Sequence, residues 1–156
     1  MVRYFEDVTV GETHDLGAYT ADREELIEFA RRYDPQPIHV DPDAAERTMF
    51  GGLIASGWHT GGSCMALLAE GFLNDTASVG SFGMDELRWR TPVRPGDTVS
   101  VAVEITDKHA SESRDDRGYV DVELHAENGD GEEVIFWRST NIILTRAGRD
   151  AWPFEE

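Results

Sequence analysis

Strict alternation in the C-terminal half of the chain limits its fold more than any other feature. Val99, Val101, Val103 and Ile105 alternate with polar or small residues, and Val120, Val122 and Leu124 alternate with Asp121, Glu123 and His125. Successive side chains of a strand point to opposite faces, so each run predicts a strand with one buried face. Asn128-Gly129-Asp130-Gly131 carries the residues of a hairpin turn, since glycine and asparagine tolerate left-handed backbone. The run from about Glu133 to Thr145 is largely apolar on both faces, the pattern of a strand covered on two sides. Leu87 and Trp89, alternating with Arg88 and Arg90, predict one more strand.

The N-terminal half has a different period. A short strand near His14 to Tyr19 leads to Thr20, a predicted N-cap, with Asp22, Glu24 and Glu25 suited to a positively polarised first turn. Leu26, Phe29, Ala30 and Tyr33 form one helical face, Arg31 and Arg32 suit its negative end, and Pro35 closes it. Asp41-Pro42 predicts a second cap and a short helix through Arg47. From Ser56 or Gly57 a long helix runs toward Glu70, with Gly71 as its stop. Glycine in a helix costs about 1 kcal/mol relative to alanine, so Gly61 and Gly62 predict close approach to a sheet. Helix and antiparallel strand together place the chain in the α+β class.

With 156 residues and no linker, repeat or low-complexity tract, one domain spanning 1–156 is expected. No apolar run approaches the roughly 20 residues that cross a bilayer, and the first residues lack a signal-peptide hydrophobic region, so no membrane association and a cytoplasmic location are expected. Cys64 is the single cysteine and sits among small helical residues, which suits packing. The net charge of −17, with Lys108 the sole lysine, makes nucleic acid a poor partner. This acidic, arginine-biased composition resembles that of proteins from high internal salt, where screening relieves self-repulsion. Disorder is disfavoured because 40% of residues are hydrophobic and periodically placed.

Chemistry concentrates in Tyr33-Asp34-Pro35-Gln36-Pro37-Ile38-His39. The prolines bias Asp34 and Gln36 toward extended backbone, and a bend at either proline can turn the acid and the imidazole toward one water. The block resembles the signature of the MaoC-like dehydratase, or (R)-specific enoyl-CoA hydratase, family, roughly Gly-Asp-x-Asn-Pro-aliphatic-His, with Tyr33 in place of the Gly and Gln36 in place of the Asn. Phe50-Gly51-Gly52-Leu53-Ile54-Ala55-Ser56-Gly57-Trp58-His59-Thr60 and Pro92-Val93-Arg94-Pro95-Gly96-Asp97-Thr98 resemble two further blocks of that family in the right order. The resemblance implies a hot-dog fold, a curved, mainly antiparallel sheet wrapped around a central helix, and Asp34 and His39 as the catalytic pair. It also implies reversible hydration of an enoyl-CoA to an (R)-3-hydroxyacyl-CoA, no cofactor beyond the coenzyme A of the substrate, and a homodimer or an assembly of dimers. A hot-dog thioesterase and a non-catalytic acyl-binding subunit are the alternatives.

Gly57 is the candidate oxyanion donor, since a backbone N–H at a helix start is a preorganised donor; tight entry into the helix is the competing reason for a glycine there. Trp58 and His59 are candidate substrate-binding residues, with packing the alternative for His59. Arg88, Arg90 and Arg94 are the densest basic cluster and the candidates for the phosphates of coenzyme A, against a role as solvated, ion-paired strand residues. His14, His109 and His125 occur singly and suit surface roles. His39-Val40-Asp41-Pro42-Asp43 offers no second histidine at ligand spacing, so no metal is expected. No glycine-rich phosphate loop or dinucleotide fingerprint precedes a helix. The long apolar strand from Glu133 to Thr145 is the expected dimer surface.

Overall fold

The computed structural model describes residues 1–154. Five strands form one antiparallel sheet in the order β1-β3-β4-β5-β2: β1 (Thr13–Thr20), β2 (Ser78–Trp89), β3 (Thr98–Ala110), β4 (Arg117–Glu127) and β5 (Glu133–Leu144). Four α-helices precede β2: α1 (Arg23–Tyr33), α2 (Pro37–Val40), α3 (Pro42–Glu46) and α4 (Gly57–Leu68). This is the α+β architecture expected, with the sheet closed over α4. Cys64 and Leu68 of α4 share a core with Val101, Val103, Val122, Leu124, Ile135 and Trp137 from the alternating strands.

Each alternating run lies where its period requires. The valines of β3 and β4 are at most 1% exposed, while their even-spaced neighbours face outward. The Asn128 turn closes through Gly131 N–H donating to Asn128 O at 3.1 Å, with Gly131 at φ 77°. Asn128 Oδ1 accepts from the N–H groups of Asp130 and Glu132, both at 3.0 Å.

Several local expectations need correction. The N-cap of α1 is Asp22, whose carboxylate accepts from Glu25 N–H, and not Thr20, which ends β1 and faces Thr98. Gly71 does not stop the long helix. The chain continues through a π-helical turn, Ala69–Leu73, in which a Cβ on Gly71 would lie 2.8 Å from Leu16 Cδ2. Gly61 has only ordinary contact room toward Ile135 at 3.8 Å, and Gly62 meets nothing within 4 Å, so the glycine pair is not demanded by close sheet contact. Finally, the apolar excess of β5, expected to serve a dimer, is largely buried within the chain: β5 lies between β4 and β2, and Val134, Ile135, Phe136, Trp137, Ile143 and Leu144 are buried. The edge strands are β1 and β2, and in β2 register shifts interrupt the pairing and Val79, Phe82 and Met84 stand exposed.

No helix among the described residues is long and apolar enough to cross a membrane. The acidic excess is met by a few ion pairs, such as Arg3–Glu12 and Arg138–Glu123, both at 2.8 Å, and far more carboxylates than cations face solvent. The melting temperature should therefore rise by several degrees from low salt to molar KCl, as screening reduces repulsion among like charges. A flat or falling melting curve would remove that account of the composition.

Candidate functional site

Pro37 occupies the first position of the helical turn α2, for which its fixed φ is suited. The Asp34–His39 segment is therefore not an extended loop: Asp34 caps the C-terminus of α1, and the turn of α2 lifts His39 back over it. His39 Nε2 lies 3.3 Å from Asp34 Oδ2, and the imidazole is 5% exposed. On its other side His39 Nδ1 is 2.9 Å from Ile54 O. A carbonyl can only accept, so Nδ1 carries the hydrogen and Nε2 is the exchangeable position facing the carboxylate.

Two further donors fix Asp34. Gln36 Nε2 donates to Oδ1 at 2.7 Å, and Ser56 Oγ donates to Oδ2 at 2.7 Å. The longer amide at position 36 thus reaches the carboxylate directly. These contacts hold the Asp34 carboxyl below the usual carboxylate range, the Gln36 hydrogen bond contributing most, with Ser56 and the neighbouring His39 adding to it and partial burial opposing. A carboxyl with a depressed folded pKa stabilises the fold fully above the pH where the unfolded group titrates, and loses that contribution as pH falls through the folded value. Urea midpoints of wild type and Asp34→Asn should therefore differ at neutral pH and converge as pH falls below about 4. Midpoints separated by the same amount at every pH would contradict this.

Ser56 also N-caps α4, its Oγ accepting from Trp58 N–H at 3.3 Å. The sequence marks Ser56 only as a start of the helix; the fold brings it beside Asp34. Gly57 follows at the first helical position, where an N–H has no intrahelical acceptor, and its N–H makes no backbone hydrogen bond among the described residues. The Cβ side of Gly57 is not open space for an acyl oxygen, however. Trp89 fills it: a Cβ would lie 2.3 Å from Trp89 Cε2, and Trp89 Nε1 donates to Gly57 O at 2.9 Å. Glycine is thus required for the tryptophan, while the amide stays available. Trp58 is 58% exposed and meets Trp89 edge-on at 5.1 Å.

A cleft of about 310 Å³ opens here, lined by Phe50, Ile54, Gly57, Thr60, Trp89, Arg90 and Val93 among others. Asp34 and His39 are not in its wall but bond to residues at it, His39 to Ile54 O and Asp34 to Ser56, which precedes Gly57. Of the three arginines only Arg90 borders the cleft, with Nε 3.5 Å from Glu133 Oε2. Arg94 Nη2 donates to Phe50 O at 2.6 Å and braces the segment before α4. Arg88 lies opposite Phe136 on the outer sheet face, 3.6 Å from Glu86. His59 is buried between α1 and α4, its Nε2 3.2 Å from Glu25 Oε1 and its ring edge-on to Phe29, which is a packing position. Trp89 carried no signal beyond its strand alternation. Among the described residues no three His, Cys, Asp or Glu side chains converge as metal ligands.

The model of the MaoC like domain matches residues 6–128. The chain is 37% identical over 107 residues to a 3-hydroxybutyryl-CoA dehydratase of Methylorubrum extorquens, covering 68% of this chain and 66% of that protein. It is 29% identical over 142 residues to protein YdeM of Bacillus subtilis, for which no activity is named, covering 90% and 98% of the two chains. The crystal structure of a MaoC-like dehydratase from Rhodospirillum rubrum superposes with a TM-score of 0.81 at 34% identity, covering 92% of this chain and 97% of that one.

Proposed function

Starting from the fact that this chain belongs to the MaoC-like dehydratase family, we propose that it adds water reversibly to a trans-2-enoyl-CoA, giving the (R)-3-hydroxyacyl thioester. The observation that carries the reading is the 3.3 Å approach of His39 Nε2 to an Asp34 carboxylate already fixed by Gln36 and Ser56. Two such groups can hold one water between them and divide its chemistry. Asp34 takes a proton from the water as its oxygen bonds to the β-carbon and passes it across to His39 Nε2, which delivers it to the α-carbon. That delivery leaves the pair as it began, without net change. Negative charge that develops on the thioester oxygen is met by the Gly57 N–H at the positive end of α4. Arg90 at the cleft rim is suited to a phosphate of coenzyme A, with Trp58 and Trp89 beside it as an apolar surface.

The test is the loss of enoyl conjugation, followed spectroscopically, when purified protein meets a panel of enoyl-CoA thioesters. Hydration is expected. Release of free coenzyme A with the double bond intact would select a thioesterase instead, and binding without turnover an acyl-binding role.

Association of two copies is part of the same reading. Val79, Met84 and Phe82, the last 75% exposed, stand on the β2 edge, Met84 adjoins Met65 of α4, itself 41% exposed, and an unpaired strand edge bearing apolar side chains favours a partner. Light scattering should give a dimer or a multiple of it in molar KCl, and Phe82→Asp should shift the distribution toward monomer. A wild-type monomer at micromolar concentration would refute the assembly.

A further inference from the structure

Along the inner face of β5 the residues are Ile135, Trp137, Ser139, Asn141 and Ile143, alternate positions of a strand that faces α4. Two polar side chains interrupt this apolar row, and both are buried: Ser139 is 6% and Asn141 5% exposed. Asn141 Nδ2 has no hydrogen-bond partner among the described residues. A buried amide donor without an acceptor is costly, and native structures nearly always supply one. Asn141 borders a groove of about 210 Å³ walled by Met65 and Leu68 of α4, Trp137 and Ser139 of β5, and Met84 of β2. The groove is the cavity that Asn141 lines, and so the place from which an acceptor for the amide would come.

The groove and the cleft at Gly57 share no lining residue but lie along the same helix, α4. Both lie between α4 and the β5–β2 edge: the cleft against Gly57, Thr60, Val134 and Trp89, the groove against Met65, Leu68, Asn141 and Met84. The helix rises roughly 12 Å from Gly57 to Met65. A chain whose thioester sits at Gly57 and which runs beside α4 therefore ends near Asn141. Methionines on both rims give walls that adapt to a flexible chain. No arginine or lysine lines the groove, so a carboxylate entering it would be desolvated without a counter-charge. The acceptor that suits a neutral N–H there is a neutral oxygen.

Building on the hydratase reading, we propose that Asn141, supported by Ser139, is a specificity-determining residue that selects enoyl thioesters carrying a hydroxyl or ketone oxygen on the distal part of the acyl chain. A site with a buried donor discriminates against analogues that leave the donor unpaired, because the lost bond is not replaced by water. The same groove with leucine at position 141 would instead favour plain alkyl chains.

The test compares trans-2-enoyl-CoA thioesters of matched, increasing length, with and without a terminal hydroxyl, on the full-length protein. At the length that reaches Asn141 the hydroxylated substrate should have a kcat/KM about tenfold or more above its alkyl counterpart. Asn141→Leu should abolish or reverse that ratio while leaving hydration of crotonyl-CoA, which ends short of the groove, within about twofold of wild type. Ser139→Ala should reduce the ratio in the same direction and serves if the leucine variant does not fold. A ratio near one in the wild type at every length, or a preference that survives both substitutions, overturns the proposal; so does an Asn141→Leu variant that alters only the oligomeric state, which would assign Asn141 to a subunit contact. Wild-type hydration of crotonyl-CoA without any oxygen preference removes this inference alone, whereas failure to hydrate any enoyl-CoA removes the hydratase reading with it.

Discussion

Asp34→Asn should lose hydration activity by about 10²- to 10⁴-fold, the range general acid–base groups supply, while the protein stays folded. The amide can still accept from Ser56 and fill the same space, but it cannot take a proton from water. His39→Gln should show a loss of similar size: glutamine can still donate to Ile54 O, but it has no exchangeable ring nitrogen 3.3 Å from the carboxylate. Because the two groups hold one water, the double substitution should be little worse than either single one. Rates measured at saturating enoyl-CoA, with folding checked by circular dichroism, decide the matter. Full activity in either folded single variant would discard the pair.

The second large effect is expected at Gly57. Alanine there places a Cβ 2.3 Å from Trp89 Cε2, so the indole must swing away and give up its bond to Gly57 O. That disturbs the cleft wall and the direction of the Gly57 N–H together, and removal of one oxyanion donor elsewhere costs about 10²- to 10³-fold in kcat. A loss of at least tenfold in kcat, with shifted tryptophan fluorescence, is expected for Gly57→Ala. The control is Gly62→Ala in the same helix, where nothing lies within 4 Å. It should leave activity unchanged and stabilise the protein by about 1 kcal/mol. Equal activity in the two variants would separate Gly57 from the chemistry.

What the sequence disclosed and what it hid divide along a physical line. Alternation in β3 and β4, the Asn128 turn and the Asp41 cap are local devices, read correctly because each element needs only its own residues. The strand β2 was legible only at Leu87 and Trp89, since bulges and solvent exposure erase its period from Ser78 to Glu86. Asp22 displaced Thr20 as a cap because both residue types compete for that role and the end of β1 claims the threonine. The apolar excess of β5 was visible, but whether a neighbour from the same chain or from a second copy covers it is a matter of sheet order, which no local pattern encodes. In the site, Asp34 and His39 were legible from their motif. The clamp on Asp34 by Ser56 and the cover on Gly57 by Trp89 span long separations in sequence and left no local trace.

Ser56 makes its hydroxyl a hinge between two properties usually measured apart. One oxygen accepts from Trp58 N–H and donates to Asp34 Oδ2, so the hydrogen is held most firmly while that carboxylate is ionised. Protonating or neutralising Asp34 leaves a weaker acceptor for the hydroxyl, which loosens the first turn of α4. The backbone amide of Trp58 is therefore a built-in reporter: its hydrogen-exchange protection should fall with acidification, or in Asp34→Asn, giving an optical-label-free readout of the charge on a carboxylate that belongs to a different helix.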